Sequence, residues 1–331
     1  MHQAYDAALI LGVLLRPEDD AARAAESVGL PADAVAAWRA AVVDAALAVL
    51  DTSVAPVGWV QVDLALGGTA ASCAGVLAGP VADHLTEWTA TGQATNAWFL
   101  HKPPGVRLRL EGDRRELRSL LAPVLDGLVA TGALSGWRFG AYLPEAHLFG
   151  GSVGMGLAHR FFTADSLAVL AYERARLERT ASLVPAELSF LLLDGCLARL
   201  VPDPWERWDV WCRLRWTGRV LDQARTAGSV SSELAGDAVA WVRAVRSFPG
   251  PWAGASRAEQ VILDDYQRRI EALAESVAEV VRDGDLPVNL RQVLPFWIVF
   301  HWNRLSFTLE AQRALTRVVV AALDPRGPAV E

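Results

Sequence analysis

Along residues 3–50, apolar and alanine positions recur three and four apart, the period of helices that bury one face, and Gly29-Leu30-Pro31 breaks the run. The period shortens after Pro56. Val57, Trp59, Val60, Val62, Leu64 and Leu66 mostly alternate, which predicts a strand ended by Gly67-Gly68. A helix over 76–90 follows. Two strands around a turn come next: Trp98-Phe99-Leu100-His101 enters, Lys102-Pro103-Pro104-Gly105 turns, and Val106-Arg107-Leu108-Arg109-Leu110 leaves in strict alternation. Arg107 and Arg109 therefore share one face, opposite Val106, Leu108 and Leu110. A helix over 113–131 and a strand over 136–143 complete the first half. The loop from Pro144 to Gly151 then carries Glu145 and His147 beside Gly150 and Gly151.

From Asp165, read as an N-cap, the pattern is helical almost to the end, with helices over 166–180, 186–199, 204–225, 232–246, 257–283, 288–304 and 308–323. Pro249, Gly250, Pro251 and Gly254 mark the clearest loop of this half. The sum is an α+β fold, a modest and mostly antiparallel sheet packed against a large helical C-terminal half. The organisation expected is a helical N-terminal extension over 1–55, a main domain over 56–325 and a tail over 326–331.

Composition removes several functional classes. An apolar share of 52% with 21% charged residues describes a globular chain able to bury a large core. A formal charge of −7 argues against gripping nucleic acid. No apolar run reaches the roughly 20 residues of a membrane span, and the apolar start Ala7 to Leu15 follows Asp6 without the basic region of a signal peptide. Cys73, Cys196 and Cys212 are too few and scattered for a disulfide framework or a zinc site. His84, His101, His147, His159 and His301 are equally dispersed. A cytoplasmic protein without metal or cofactor is expected.

The candidate chemistry begins at His301-Trp302-Asn303-Arg304-Leu305-Ser306, polar groups that follow the apolar run Val293 to Phe300. In a helix over 290–304, Trp297, His301 and Arg304 lie along one stripe, so an aromatic ring, a group that titrates near neutrality and a fixed cation face one space. The competing reading is a core histidine and arginine satisfied by neighbouring carbonyls. Gly150-Gly151-Ser152-Val153-Gly154-Met155-Gly156 matches no nucleotide loop, so its glycines are read as a tight turn or a close approach to a ligand. Trp205, Trp208, Trp211 and Trp216 crowd one predicted helix and are read first as its packing face, then as a peptide groove. Polar chemistry thus gathers at 101–109, 142–147, 165–166 and 301–306, which together suggest a metal-free acid–base pocket.

These positions resemble the stand-alone members of the class I lanthipeptide dehydratase superfamily that carry only its C-terminal elimination-type domain, the thiopeptide pyridine synthases among them. The matching residues are Trp98-Phe99-Leu100-His101 with Pro104-x-Val106-Arg107-Leu108-Arg109-Leu110; Tyr142-x-Pro144-Glu145-x-His147-x-Phe149-Gly150-Gly151; Ala164-Asp165-Ser166; and His301-x-Asn303-Arg304. The resemblance implies an elimination-domain-like fold and one of two activities. One is a lyase that expels glutamate from glutamylated Ser or Thr. The other joins two dehydroalanines of one peptide by a formal aza-[4+2] cycloaddition, with loss of water and of the leader peptide, to give a pyridine. Where the lyases usually carry an Arg-Tyr pair that helps hold the departing glutamate, this chain has His101 and Lys102, which weakens the lyase reading.

The expectation is therefore a pyridine synthase. His301, Tyr142, Glu145, His147 and Arg304 are its expected catalytic groups, with His301 the leading acid–base residue. Asn303, Trp297, His101, Lys102, Arg107, Arg109, Gly150, Gly151 and Ser306 are expected to meet substrate. A strand-end hydrogen bond for Tyr142 and Glu145, loop packing for His147, a solvated sheet face for Arg107 or Arg109, and helix caps for Asp165 and Ser306 stand beside those roles. The implied partners are a modified precursor peptide with its leader, which residues 1–50 either contact or ignore, and other biosynthetic enzymes. A leader-binding scaffold without activity is the non-enzymatic alternative. The reading requires His301 and the 142–151 loop to meet in one cleft.

Overall fold

The computed structural model describes residues 57–67, 74–102, 105–217, 232–247 and 254–327, with short pieces between 13 and 45. Most of the expected N-terminal extension, the far end of the expected 204–225 helix and the Pro249–Pro251 loop therefore lie outside the described residues.

Four strands form one antiparallel sheet in the order β2-β3-β1-β4: β1 (Val57–Leu66), β2 (Ala94–Lys102), β3 (Gly105–Asp113) and β4 (Leu134–Gly140). Alternation gives each strand two unlike faces. On one face Val60, Val62, Leu64, Phe99, Leu108 and Leu110 are buried against α1 (Ala82–Thr91), α2 (Arg114–Ala130) and part of α3 (Gly151–Leu177). Asp113 caps α2 by accepting from the backbone N–H groups of Arg115 and Glu116. The opposite face runs in polar rows across the strands, Trp98–Arg109–Gln61–Gly140 and Leu100–Arg107–Asp63–Arg138.

The helical half comprises α3, α4 (Pro185–Leu200), α5 (Pro204–Arg213), α6 (Ser232–Ser247), α7 (Arg257–Asp283), α8 (Leu290–Arg304) and α9 (Leu309–Leu323). Helix α3 is its axis, with Phe161, Phe162, Val169 and Tyr172 all fully buried. Each such ring or side chain contributes roughly 1.5–3 kcal/mol relative to exposure. The same helix covers the outer edge of β2. Thr163 Oγ1 accepts from Ala97 N at 3.1 Å and Ser166 Oγ from Phe99 N at 3.3 Å, so edge groups that would otherwise be orphaned are satisfied.

Three local expectations change. Helix α3 begins at Gly151, well before Asp165, which sits deep in its interior and caps nothing. The glycines are the reason: Gly150 takes φ +80°, and a Cβ on Gly154 would lie 1.7 Å from Phe149 O, so this run enters a helix packed tightly on its own approach. The strand expected to reach 143 stops at Gly140, freeing Tyr142 for the loop. Ser306 caps no helix either: it adopts φ +56° after α8, and Thr308 caps α9 by accepting from Ala311 N.

Candidate functional site

A cavity of about 380 Å³ opens between the polar face of the sheet and helix α8. The sheet supplies Trp98, Leu100, Lys102, Arg107 and Arg109, the loop after β4 supplies Tyr142 and Glu145, and α8 supplies Phe296, Val299, Phe300 and Asn303. The α8 residues recur at i, i+3, i+4 and i+7, which is one helical stripe. Arg109 lies at its floor. The guanidinium carbon stands 4.5 Å from the Trp98 ring centre and 4.2 Å from that of Tyr142, while Nε donates to Gln61 Oε1 at 2.8 Å. Burial lowers Arg109 to about 10, still charged at neutrality, with Tyr142, Glu145 and Asp63 favouring the cation and Arg107 opposing it.

Tyr142 is joined to a residue the sequence left unassigned. Its hydroxyl lies 2.7 Å from His159 Nε2. His159 is 5% exposed and packs against Trp59 with ring centres 4.2 Å apart. Burial, helped by the Arg109 charge, lowers its pKa to about 4, so the imidazole is neutral at ordinary pH. Burial likewise pushes the Tyr142 hydroxyl well up, against the pull of Arg109, so it keeps its proton. With the proton of the neutral imidazole on Nδ1, the tyrosine donates and Nε2 accepts. The result is an uncharged hydrogen-bonded pair at the wall of an aromatic cavity.

His301 belongs to a different network. It is 0% exposed, with Nδ1 2.6 Å from Asp165 Oδ1 and Nε2 2.9 Å from Ser189 Oγ. Trp302 Nε1 donates to the same Ser189 Oγ at 3.1 Å. Arg304, 2% exposed, donates from Nη1 to Asp165 Oδ2 at 2.7 Å and from Nε to Ser166 Oγ at 3.1 Å. Burial alone would raise the Asp165 carboxyl, but His301 and Arg304 more than offset it and hold it below the usual range. Ser189, His301 and Asp165 are wired in the order of a hydrolytic triad, yet Ser189 is itself fully buried, so no acyl group can reach it. This network ties α3, α4 and α8 together.

The expected residues therefore divide. Tyr142, Glu145, Lys102, Arg107, Arg109 and Asn303 share the cleft. His301 is fully buried and does not line this cleft, against the requirement that it and the loop at 142–151 meet, so the reading as it rested on His301 fails and any acid–base role falls to other groups of the cleft. Trp297 stacks on Phe161 with ring centres 4.6 Å apart inside the helical core. His101, Arg304 and Ser306 line a second cavity of about 350 Å³, reached from the other side of β2. There burial lowers the His101 pKa, opposed by a hydrogen bond to the Arg304 backbone. His147 is exposed on a short 3-10 turn, and Gly150 and Gly151 shape the entry to α3. The α5 tryptophans divide too: Trp211 is buried and Trp205 is 52% exposed.

The phase error on α8 is small and decisive. The stripe through 297, 301 and 304 points into the helical core, and the stripe through 296, 299, 300 and 303 faces the cleft. His159 had a legible signal: with Thr163 and Ser166 it forms a polar stripe at i, i+4 and i+7 on an otherwise apolar helix, visible once the helix is started before residue 159.

Among the described residues no cluster of three or more His, Cys, Asp or Glu is placed to hold a metal, and no helix is long and apolar enough to cross a membrane. No curated protein sequence matches the chain. Several solved structures are similar to this chain, the following two among them. The tRNA-dependent lantibiotic dehydratase MibB from Microbispora sp. 107891 matches 82% of this chain at 18% identity and a TM-score of 0.59, and the chain spans 29% of that protein. The pyridine synthase TbtD from thiomuracin biosynthesis matches 81% of this chain and 99% of its own length, at 17% identity and a TM-score of 0.51. At these identities the likeness is one of fold. The profile of the lantibiotic biosynthesis dehydratase C-terminal family matches residues 59–323, from the first residues of β1 to the end of α9. The chain belongs to that family.

Proposed function

We propose that this protein modifies a ribosomally made precursor peptide, and that its reaction is pyridine synthesis: a formal aza-[4+2] cycloaddition between two dehydroalanines. The observation that carries the reading is the uncharged Tyr142–His159 pair at the aromatic cleft. One dehydroalanine and its preceding amide must become the iminol, which moves a proton from amide nitrogen to oxygen. Tyr142 can take the nitrogen proton as it hands its own to His159 Nε2, then return a proton at oxygen, with no tyrosinate standing free. Proton relay of this kind contributes about 10²–10⁴-fold. Arg109 and Asn303, which line the cleft, are the candidates to orient carbonyl oxygens, and Glu145 is the further candidate for the proton transfers that release water and the leader amide. Holding both dehydroalanines in one cavity contributes more, roughly 7–11 kcal/mol of orientation. His301 serves by fixing α8, and with it Asn303 and Phe300.

A second reading, glutamate elimination, is favoured by one observation: Arg107 lines the cleft and has Asp63 only at 3.5 Å, which leaves a guanidinium near any bound carboxylate. A peptide bearing two dehydroalanines separates the two. Appearance of a pyridine absorbance and a released leader amide by mass spectrometry supports the synthase. An unchanged peptide, together with glutamate loss from a glutamylated one, overturns it in favour of the lyase. Unchanged pathway output on His301→Ala and on Tyr142→Phe, with folding intact, would point to the scaffold.

A further inference from the structure

The cleft does not end at its own wall. Lys102 and Arg107 also border a second hollow of about 330 Å³ on the same face of the sheet. The strand register explains the continuity. The row Trp98–Arg109–Gln61–Gly140 carries Trp98 and Arg109, which line the cleft with Tyr142, and the next row outward, Leu100–Arg107–Asp63–Arg138, is one pleat repeat away, about 7 Å. Beyond it the floor falls to Gly105, Ala65 and Gly136, small residues that leave a trough. A Cβ at Gly136 would meet nothing within 4 Å.

The charge along this trough is one-sided. Lys102, Arg107 and Arg138 line it against Asp63 alone. Asp63 is shared, 3.5 Å from Arg107 Nε and 3.4 Å from Arg138 Nε, and also accepts from Gln61 Nε2 at 3.0 Å. One carboxylate divided between two guanidiniums leaves the lining two positive charges in excess, on a chain whose formal charge is −7. Arg138 is 66% exposed and stands at the outer end.

We infer that this trough is a binding site for an acidic stretch of peptide, which anchors the flank of the substrate while the reacting residues occupy the cleft. The inference rests on the peptide-modifying function proposed above and adds where the rest of that peptide lies. A chain leaving the cleft over Arg107 passes directly onto the trough, and carboxylates at alternate positions meet Lys102, Arg107 and Arg138 in turn. The glycine floor admits a backbone, because nothing projects from it. Exposed ion pairs are individually weak, so the site works as a set and is sensitive to salt.

Two fluorescein-labelled 12-residue peptides test it, identical except that three alternating glutamates in one are glutamines in the other. Binding to the full chain is read by fluorescence anisotropy, without turnover, so the result is independent of which reaction the cleft performs. The acidic peptide should bind about five- to tenfold more tightly at low salt, and high salt should erase most of that preference. Arg138→Glu and Lys102→Glu, both at exposed positions, should each reduce the preference severalfold, and Arg138→Glu, which lies outside the cleft, should leave the glutamine peptide unaffected, with an unchanged melting temperature as the check on folding. Equal binding of the two peptides overturns the inference. So does a preference that survives both substitutions, since it then resides elsewhere on the surface.

Discussion

Replacing Asp165 by asparagine isolates the energy stored in the buried network. The carboxylate accepts from His301 Nδ1 at 2.6 Å and from Arg304 Nη1 at 2.7 Å, with all three side chains sealed from solvent. Asp165→Asn keeps the shape, strips the charge that compensates Arg304, and turns an amide donor toward one of two existing donors. Removing one partner of a buried ion pair costs about 3–5 kcal/mol. That is a large part of a total stability of about 5–15 kcal/mol. At about 2 °C per kcal/mol for a chain of this size, the melting temperature should fall by roughly 6–10 °C. Urea unfolding followed by tryptophan fluorescence gives the free energy, and calorimetry gives the shift. A paired variant, Asp165→Leu with Arg304→Met, should cost less than Asp165→Asn alone, because it removes both desolvated charges together. The pH dependence has a fixed sign. A carboxylate held below its ordinary range contributes fully above the unfolded pKa of about 3.9 and loses that contribution as pH falls toward the lower native value. The gap between wild type and Asp165→Asn should therefore stay constant near neutrality and close only in acid. A loss under about 1 kcal/mol, the worth of an exposed pair, would refute the buried pairing. A double variant no better than the single would refute the desolvation argument.

Tyr142→Phe removes the donor to His159 and should lower turnover of a bis-dehydroalanine peptide by about 10²–10⁴-fold with little change in melting temperature, whereas His301→Ala should chiefly lower stability; the reverse pattern would return the acid–base role to His301. Because the native His159 titrates near 4, the proton relay should stay competent down to about pH 5, and an activity midpoint near 6.5 that vanishes in His159→Gln would contradict the burial described. The same depression predicts that wild-type stability declines by about 3 kcal/mol as pH drops from 6.5 toward 4, where the unfolded chain binds a proton the folded one refuses, and that His159→Gln flattens this part of the curve in urea titrations. Gly154→Ala, with its Cβ 1.7 Å from Phe149 O, should cost about 3 kcal/mol or more, measurable as a lowered urea midpoint; a neutral result would mean that the entry to α3 is not packed as described.

Much of the architecture was legible in the order of residues. Strict alternation in Val106 to Leu110 fixed which face of β3 carries Arg107 and Arg109, because side chains on a strand have a period of two and no packing is needed to read it. The helix over 257–283 was readable from its periodicity, and the structure shows Ser256 capping it and Gly284 ending it. The departure of His101-Lys102 from an Arg-Tyr pair was likewise open to inspection. The start of α3 was not. Seven residues with four glycines have the local signature of a loop, and only the contact of Gly154 with Phe149 and Leu286 shows that small size there serves helix packing.

The site depended on tertiary structure for a related reason. Sequence periodicity states which residues of a helix share a stripe, and it cannot state which stripe a neighbour will cover. On α8 two stripes compete. The polar one, with His301 and Arg304, was drawn inward by Asp165 and Ser189, where low dielectric rewards complete hydrogen bonding, and the aromatic one with Phe296 and Phe300 was left to wall the cleft. Tyr142 and His159 stand seventeen positions apart on a loop and a helix, and their meeting at 2.7 Å comes from the way α3 lies along β2, a long-range packing that local pattern does not encode.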